Sequence, residues 1–198
     1  MMIIIVSFLV AFLCGSIPTG YLIIKRIYGI DIRTKGSGNI GSTNVKRIAG
    51  TKISLITQVI DILKGLLPVL ISILIWTKFN LSINKEVYIS VVALASILGH
   101  DFTPFLSFNG GKGVNTTLGA FVLIAPIPVM TGAISHIVLK KVTDIVAIRS
   151  IILGVIIPLT CVIMRLPLPI IVTTTISGII LIYRHKGNIK QLFSKENI

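Results

Sequence analysis

The sequence predicts an all-α protein that crosses a membrane several times as one domain, residues 1–198. Of the 198 residues, 54% are hydrophobic and only 13% are charged, whereas soluble domains average about 25% charged residues. The mean hydropathy is +0.98. Long apolar runs recur along the chain, at 2–14, 53–75, 87–99, 118–130 and 150–182. A chain with so few polar residues is expected to be an integral membrane protein.

Seven helices are expected, at about 3–24, 53–76, 86–106, 114–125, 127–140, 150–164 and 168–184. The first is predicted to be a retained span, because neither a basic segment nor a small-residue cleavage site accompanies it. Pro126 and Pro128 divide one apolar stretch, since proline removes a helix hydrogen bond. The Arg165–Pro169 segment divides another. Several pieces are shorter than the roughly 20 residues of a full span, and counting only comfortable spans gives about five.

The distribution of cations predicts the orientation of the bundle. With the amino terminus outside, the inner segments carry 15 Lys and Arg residues, in 25–52, 107–113, 140–149 and 184–198. The outer segments hold only Lys78, Lys85 and Arg165. This imbalance follows the positive-inside rule, so the carboxyl terminus is expected in the cytoplasm. Topology and attraction to anionic lipid account for the net charge of +13, and no nucleic acid is needed to explain it.

This topology places four glycine-rich or basic segments on one face of the membrane. They are 35–47, 108–113, the turn around Ser150, and 184–190. Irregular backbone at membrane depth is tolerated where it lines a cavity. We therefore expect a lined cavity at the cytoplasmic face.

Two of these segments have the composition of anion-binding turns. The stretch "TKGSGNIGSTNVKR" (34–47) contains a formal G-x-G-x-x-G match, but it follows a membrane helix rather than a strand, which excludes a dinucleotide turn. "NGGKG" (109–113) lacks the first glycine of a P-loop, because Leu106 stands there. In both, glycine lets backbone N–H groups turn toward an anion, and a cation adds charge. Together they predict one ligand with two anionic groups or two phosphorylated ligands.

Four sequence blocks resemble those of the bacterial acyl-phosphate:glycerol-3-phosphate acyltransferase family. They are "GSIPTGYLI…GSGNIGSTNVKR", "DILKGLLP", "GHDFTPFLSFNGGKG" and "RHKGNI", in the order and at spacings compatible with the family. The resemblance implies a seven-helix enzyme of the bacterial plasma membrane. It implies transfer of a fatty acyl group from acyl phosphate to glycerol 3-phosphate, giving lysophosphatidic acid, the first acylation of phospholipid synthesis. It implies no cofactor and no metal, and a soluble acyl-phosphate synthase as a transient partner.

The resemblance also assigns site residues. It makes Ser37, Arg47, Lys112, His185 and Asn188 catalytic. It makes eight further residues substrate-binding: Gly38, Asn39, Thr43, Asn44, Gly110, Gly111, Gly113 and Ser150. Arg47 suits bidentate contact with phosphate.

Other residues are expected to be structural, or depart from the pattern. Asp61 and Lys64 are expected to form an ion pair within the bundle. For His100 two roles stay open: support of the site residues, or a purely structural contact. Near Ser150 the family's Val-Ser-Leu reads Val146-Ala147-Ile148, and Arg149 is unexpected. Departures near the tail fall at Gln191 and Lys195, and a family glutamate aligned with Glu196 or Asn197 is not assigned.

An alternative of another class is a small membrane transporter for a phosphorylated or anionic solute. It would use the helices broken at Pro126 and Pro167 and predicts inverted repeats with a site at the bilayer midplane. The sequence contains no convincing internal repeat, and its polar clusters lie near one face.

Overall fold

The computed structural model describes residues 2–194, so Lys195, Glu196 and Asn197 lie outside the described residues. Within this range the chain folds into nine α-helices: α1 (Met2–Ser16), α2 (Thr19–Tyr28), α3 (Ser42–Phe79), α4 (Lys85–Asp101), α5 (Val114–Phe121), α6 (Pro126–Val138), α7 (Val146–Ile163), α8 (Leu168–Arg184) and α9 (Lys186–Ser194). Three 3₁₀ turns connect them, at Ile32–Thr34, Pro104–Leu106 and Leu139–Lys141. The predicted all-α class is confirmed.

Four stretches in residues 2–194 are long and apolar enough to cross a membrane: Met2–Tyr28, Ser42–Phe79, Lys85–Leu106 and Val146–Ile163. A fifth candidate joins α8 to the following helix across a bend of 50°. Helices α5 and α6, with 8 and 13 residues, are each shorter than the roughly 20 residues of a span. The count of seven transmembrane helices therefore stays a prediction.

Several predicted helix boundaries are wrong, each for a local reason. The first apolar stretch breaks between α1 and α2 at Ile17 and Pro18, because a proline has no N–H to donate. Helix α3 begins at Ser42 rather than at 53, and it is interrupted at Gly50, whose φ of 78° is not helical. The predicted third helix ends at Asp101, before Pro104, as expected for a segment that precedes proline.

Further along the chain, α5 ends at Phe121 rather than at 125. Helix α6 ends at Val138, where a 3₁₀ turn takes over, and α7 begins at Val146 rather than at 150. Only the range 168–184 matches its prediction at both ends.

The main core packs α1, α3, α4 and α5 together. It is built from buried aliphatic residues and from the aromatic rings of Tyr88 and Phe121. The Tyr88 hydroxyl is hydrogen-bonded to Ser7 Oγ at 2.7 Å, which connects α4 to α1. Gly15 and Gly99 lie where these two helices cross, and each Cα faces the backbone of the other helix. Small residues at such a crossing let helix backbones approach closely, as in other membrane proteins.

Gly99→Ala is expected to lower the stability of the protein. A Cβ at this position would meet the Phe12 carbonyl oxygen and lie 2.9 Å from the Ser16 nitrogen, so α1 and α4 would have to separate. Overpacking of this kind costs about 1–3 kcal/mol. Thermal unfolding in detergent measures the effect. The control is Gly187→Ala, where the added Cβ meets nothing within 4 Å; equal melting temperatures for the two variants would contradict the close crossing.

Candidate active site

Asn44 organises the first glycine-rich segment from inside α3. Its Oδ1 accepts a hydrogen bond from the Ser37 N–H at 2.9 Å. Its Nδ2 donates to the carbonyl oxygens of Lys35 and Asn39 at 3.0 and 2.9 Å, and lies 3.3 Å from that of Ile32. The amide is thus fully used within the segment. Asn44 therefore holds the Ser37 turn in place and has no donor left for the phosphate contact that was expected of it.

The second glycine-rich segment is tied to the carboxyl ends of α4 and α8. The N–H groups of Gly110 and Gly111 donate to the carbonyl oxygens of Asp101 and His100, at 3.2 and 3.0 Å. Their own carbonyls accept from the Arg184 guanidinium at 2.8 and 2.9 Å. Both faces of this turn are consequently fixed, and the residue that follows it, Lys112, is held at one position.

Glycine is required at several positions of this turn. A Cβ at Gly111 would occupy the place of the His100 imidazole. Gly113 has a φ of 73°, in the left-handed region that favours glycine. It also lies over the buried Asp101 carboxylate, whose oxygens would be 2.9 and 3.0 Å from an added Cβ.

A buried polar cluster lies at the inner end of the site. The ion pair expected between Asp61 and Lys64 is present, with 3.0 Å between Lys64 Nζ and Asp61 Oδ1. Lys64 Nζ also donates to the Ile17 carbonyl oxygen at 2.7 Å, at the break between α1 and α2. His100 Nδ1 lies 3.9 Å from Asp61 Oδ1. The cluster joins α3 and α4 directly beneath the second glycine-rich segment.

The four segments predicted to converge surround one cavity of about 950 Å³. It lies where α3, α5 and α7 begin and α8 ends. Ten of the predicted site residues line it: Ser37, Asn39, Thr43, Asn44, Arg47, Lys112, Gly113, Ser150, His185 and Asn188. An adjoining cavity of about 600 Å³ is lined by Gly38 and Gly110. Gly111 lines neither of the two cavities. Its hydrogen bonds to His100 and Arg184 hold the backbone that precedes Lys112.

Lys112 and Asn188 form the junction of the two cavities, and both line each of them. Lys112 Nζ donates to Asn188 Oδ1. Burial, together with the nearby charges of Arg47 and Arg184, lowers the pKa of Lys112 from 10.5 to about 8. A phosphate group beside Lys112 would reverse this effect, because an opposite charge favours the protonated amine.

His185 is a neutral imidazole in the free protein, because burial lowers its pKa to about 4. It is buried beside the end of α8, and its Nδ1 donates to the Leu181 carbonyl oxygen at 2.8 Å. With the proton on Nδ1, the neutral ring has an unprotonated Nε2. Because His185 lines the cavity, the ring can serve a substrate there. In contrast, Ser37 and Arg47 are exposed at the mouth.

Sequence reasoning missed several polar residues of the site. Arg184 directly precedes the predicted His185, so its position in "RHKGNI" was a usable signal. Asp61 and His100, for which structural or supporting roles were expected, also line the main cavity. His136 and Asp144 line it too, and their contribution depends on contacts between distant helices, for which the sequence offers no local signal. Within residues 2–194 no group of three His, Cys, Asp or Glu side chains is placed to hold a metal ion.

The fold and the cavity define a helical membrane protein with a polar, cation-lined cavity at one end of its bundle. A sequence model described as Glycerol-3-phosphate acyltransferase matches residues 5–195, and the chain belongs to this family.

Relatives match over almost the whole chain. A glycerol-3-phosphate acyltransferase from Clostridium acetobutylicum is 58% identical over 196 residues, 99% of each chain. One from Trichlorobacter lovleyi is 39% identical over 184 residues, 93% of this chain and 91% of its own. The family supports the expected enzyme class, and nothing in it supports the transporter alternative.

Two crystal structures of PlsY (YgiH), an integral membrane glycerol 3-phosphate acyltransferase, are similar in fold. The glycerol 3-phosphate form has a TM-score of 0.87 and 31% sequence identity, covering 97% of this chain and 92% of that one. The lysophosphatidic acid form has a TM-score of 0.85 at the same identity and coverage.

Proposed function

We propose that this protein transfers a fatty acyl group from acyl phosphate to glycerol 3-phosphate, giving lysophosphatidic acid and phosphate. The observation that carries the proposal is the meeting of Ser37, Lys112, His185 and Asn188 at one cavity of an apolar bundle. A soluble phosphorylated acceptor and a lipid donor can both reach such a place. Family membership supports the same reaction.

The reaction needs charge neutralisation and alignment more than activation. Acyl phosphate is a mixed anhydride, so phosphate is already a good leaving group. The acceptor hydroxyl oxygen attacks the acyl carbonyl carbon, the bond from that carbon to the phosphate oxygen breaks, and phosphate leaves with the electron pair. Arg47 and Lys112 offset the negative charge, and fixed donors at the cavity wall hold the reactants in line.

The hydroxyl proton has two acceptors within this scheme, a phosphate oxygen of the substrate or His185 Nε2. With Nδ1 committed to Leu181, Nε2 is unprotonated, and as a general base it would remove the proton while the new ester bond forms. Burial lowers the pKa of His185 to about 4, which makes the ring a weak base and favours the phosphate oxygen.

We further propose that the acyl group moves directly, without an acyl-serine intermediate. A nucleophilic serine needs an adjacent base. Within residues 2–194, the only hydrogen bond between Ser37 and a side chain is donated by its backbone N–H to Asn44 Oδ1, and its hydroxyl has no histidine or carboxylate partner. Ser37 is therefore a positioning donor to phosphate. This role also fits its exposure at the mouth of the cavity.

The direct test of the proposed activity uses purified protein in detergent or vesicles. Palmitoyl phosphate and labelled glycerol 3-phosphate should give labelled lysophosphatidic acid, without acyl-CoA, acyl carrier protein or added metal. A thermal unfolding transition first shows that the purified wild-type protein is folded. If this folded protein gives no product, the proposed activity is rejected.

We propose that the cavity faces the bacterial cytoplasm, with the amino terminus outside. The 15 cations of the inner segments support this orientation. Lys35→Cys and Asn109→Cys, both at exposed positions, should react with an impermeant thiol reagent only after cells are opened. Cys14 and Cys161 would be replaced by alanine in this background. Labelling of either cysteine in intact cells would show that the proposed topology is wrong. The proposed docking of a soluble acyl-phosphate synthase at this face would then be rejected as well.

The lowered pKa of Lys112 predicts that activity declines at alkaline pH. Its pKa of about 8 means that the free enzyme loses this charge as the pH rises above 8. The ratio kcat/KM for glycerol 3-phosphate should then fall by about tenfold per pH unit, since this ratio reports groups of the free enzyme. Lys112→Ala should raise KM severalfold or abolish turnover.

Lys112→Arg is the matched control, because a guanidinium stays protonated over this range. Whatever its absolute rate, its profile should be flat between pH 8 and pH 9.5. An alkaline decline equal to that of the wild type would show that another group controls the profile.

Direct transfer predicts no covalent product on Ser37. Enzyme incubated with acyl phosphate alone and quenched in acid should show no acyl mass on the Ser37 peptide, and Ser37→Ala should lose most activity. The matched control is Ser107→Ala, an exposed serine on the neighbouring turn that lines neither cavity, which should keep its rate. A stoichiometric acyl-serine that glycerol 3-phosphate discharges at the rate of turnover would overturn this mechanism.

A further inference from the structure

One face of α3 forms a wall of the main cavity. Ser54, Gln58 and Asp61 lie in the part of this helix that follows Gly50, and all three line the cavity. Their spacing of i, i+4 and i+7 places them one above the other on one side of the helix. None of the predicted site residues belongs to this part of α3, so the wall is an addition to the site.

Gln58 lies between the two glycine-rich segments. One turn before it, Ser54 Oγ donates to the Ser42 carbonyl oxygen at 2.8 Å, where the first segment enters α3. About one turn after it, Asp61 Oδ1 lies 3.9 Å from Nδ1 of His100, whose carbonyl oxygen holds the second segment. With a rise of about 1.5 Å per residue, Gln58 is about 4.5–6 Å along the helix from each of these contacts.

The Gln58 side chain is not committed to the protein. Its amide is partly buried, and it forms no hydrogen bond with any group of residues 2–194. Gln191 has no such bond in the described part of the chain either, but it is exposed on α9. The other side-chain amides that line the main cavity are hydrogen-bonded within the protein: Asn39, Asn44, Asn115 and Asn188. Because a buried amide without a partner is costly, a ligand beside Gln58 gains by supplying one.

A neutral amide suits a hydroxyl, whereas the cations of the cavity suit phosphates. An amide can donate and accept at the same time, and so can a hydroxyl. Arg47 and Lys112 offer charge-assisted hydrogen bonds, which phosphate oxygens accept. Glycerol 3-phosphate carries both kinds of group: a phosphate at one end, the attacking 1-hydroxyl at the other, and a 2-hydroxyl between them.

We propose that Gln58 binds the 2-hydroxyl of glycerol 3-phosphate and selects acceptors that carry a hydroxyl at this position. The proposal rests on the proposed function, in which the two phosphates lie against the glycine-rich segments on either side of Gln58. The 2-hydroxyl is the middle group of the acceptor, and Gln58 has the uncommitted amide between the two segments. Held there, the 2-hydroxyl orients the neighbouring 1-hydroxyl toward the acyl carbonyl carbon.

The first test compares two acceptors with the wild-type enzyme. The analogue 3-hydroxypropyl phosphate keeps the phosphate, the chain length and the terminal hydroxyl, and it lacks only the 2-hydroxyl. With palmitoyl phosphate as donor, we expect kcat/KM to be lower for the analogue by about tenfold or more, as for one lost buried hydrogen bond. Equal values for the two acceptors would reject the proposal.

The second test removes the amide. Gln58→Met and Gln58→Leu should each lower kcat/KM for glycerol 3-phosphate by about tenfold and leave that for the analogue within about twofold, so that the preference disappears. The matched control is Thr77→Val, which removes an exposed hydroxyl from the far end of α3, outside both cavities. This control should keep the preference.

Two results of the second test would contradict the proposal. A merely structural role of Gln58 would lower kcat/KM equally for both acceptors. A raised KM for palmitoyl phosphate, with the acceptor preference intact, would place Gln58 against the donor.

A measurement without turnover separates this proposal from the proposed function. Glycerol 3-phosphate should raise the Tm of the wild type more than 3-hydroxypropyl phosphate does, because the tighter ligand stabilises more. The two compounds should raise the Tm of Gln58→Met equally, and a difference that persists in this variant would overturn the contact. If the wild type makes no lysophosphatidic acid but shows the Gln58-dependent difference, the proposed function fails while the hydroxyl contact stands. If it makes lysophosphatidic acid with a preference independent of Gln58, the contact fails while the function stands.

Discussion

The hydrogen bonds that hold the Gly110–Gly111 turn are the constraint on which the site depends. At the end of an apolar bundle, irregular backbone has little water to satisfy it. The turn solves this by donating to the last carbonyls of α4 and accepting from Arg184 of α8. The same bonds satisfy helix carbonyls that have no partner within α4. The turn that carries Lys112 is thus also the cap of α4, and a change that frees the turn also uncaps the helix.

The first glycine-rich segment follows the same principle with a different device. It has no helix end nearby to accept its N–H groups, and a side chain, Asn44, replaces the missing partner. Asn44 lies in α3 before the interruption at Gly50, and Asp61 and Lys64 lie after it. The first segment, the two parts of α3, the buried ion pair and the glycine-rich turn above His100 together form one framework. Ser37 and Lys112 come from opposite sides of that framework and meet at the cavity.

Much of this could be predicted from sequence, because the signals were local. The apolar runs marked the helices, and the prolines marked breaks at α6 and α8. The motif residues lie around one cavity, as the charge pattern and the resemblance predicted. The boundaries were less accessible. Gly50, with an exposed left-handed backbone inside α3, cannot be distinguished by sequence from a glycine inside an uninterrupted helix.

Roles that depend on distant partners could not be predicted. Asn44 was expected to bind a phosphate, but its side chain is committed to hydrogen bonds with four nearby residues of the chain. Arg184 bonds to residues 73 and 74 positions away, and no periodicity encodes that distance.

The distribution of charge in the cavity explains why phosphate binding and protonation are coupled. Two of the acidic groups near the site have cationic partners: Asp61 pairs with Lys64, and Asp31 with Arg33 at 2.6 Å. Asp144 also lines the cavity, and it forms no ion pair within residues 2–194. Within residues 2–194, Arg47, Lys112 and Arg149 form no ion pair. Burial and the other cations lower the pKa of Lys112 to about 8, so the cavity without a ligand disfavours the protonated form of Lys112. A phosphate raises that pKa again. By linkage, a group that binds its proton more tightly in the complex also makes the complex tighter when it is protonated. The cavity is therefore expected to bind phosphate more tightly below pH 8, where Lys112 is protonated, than above it.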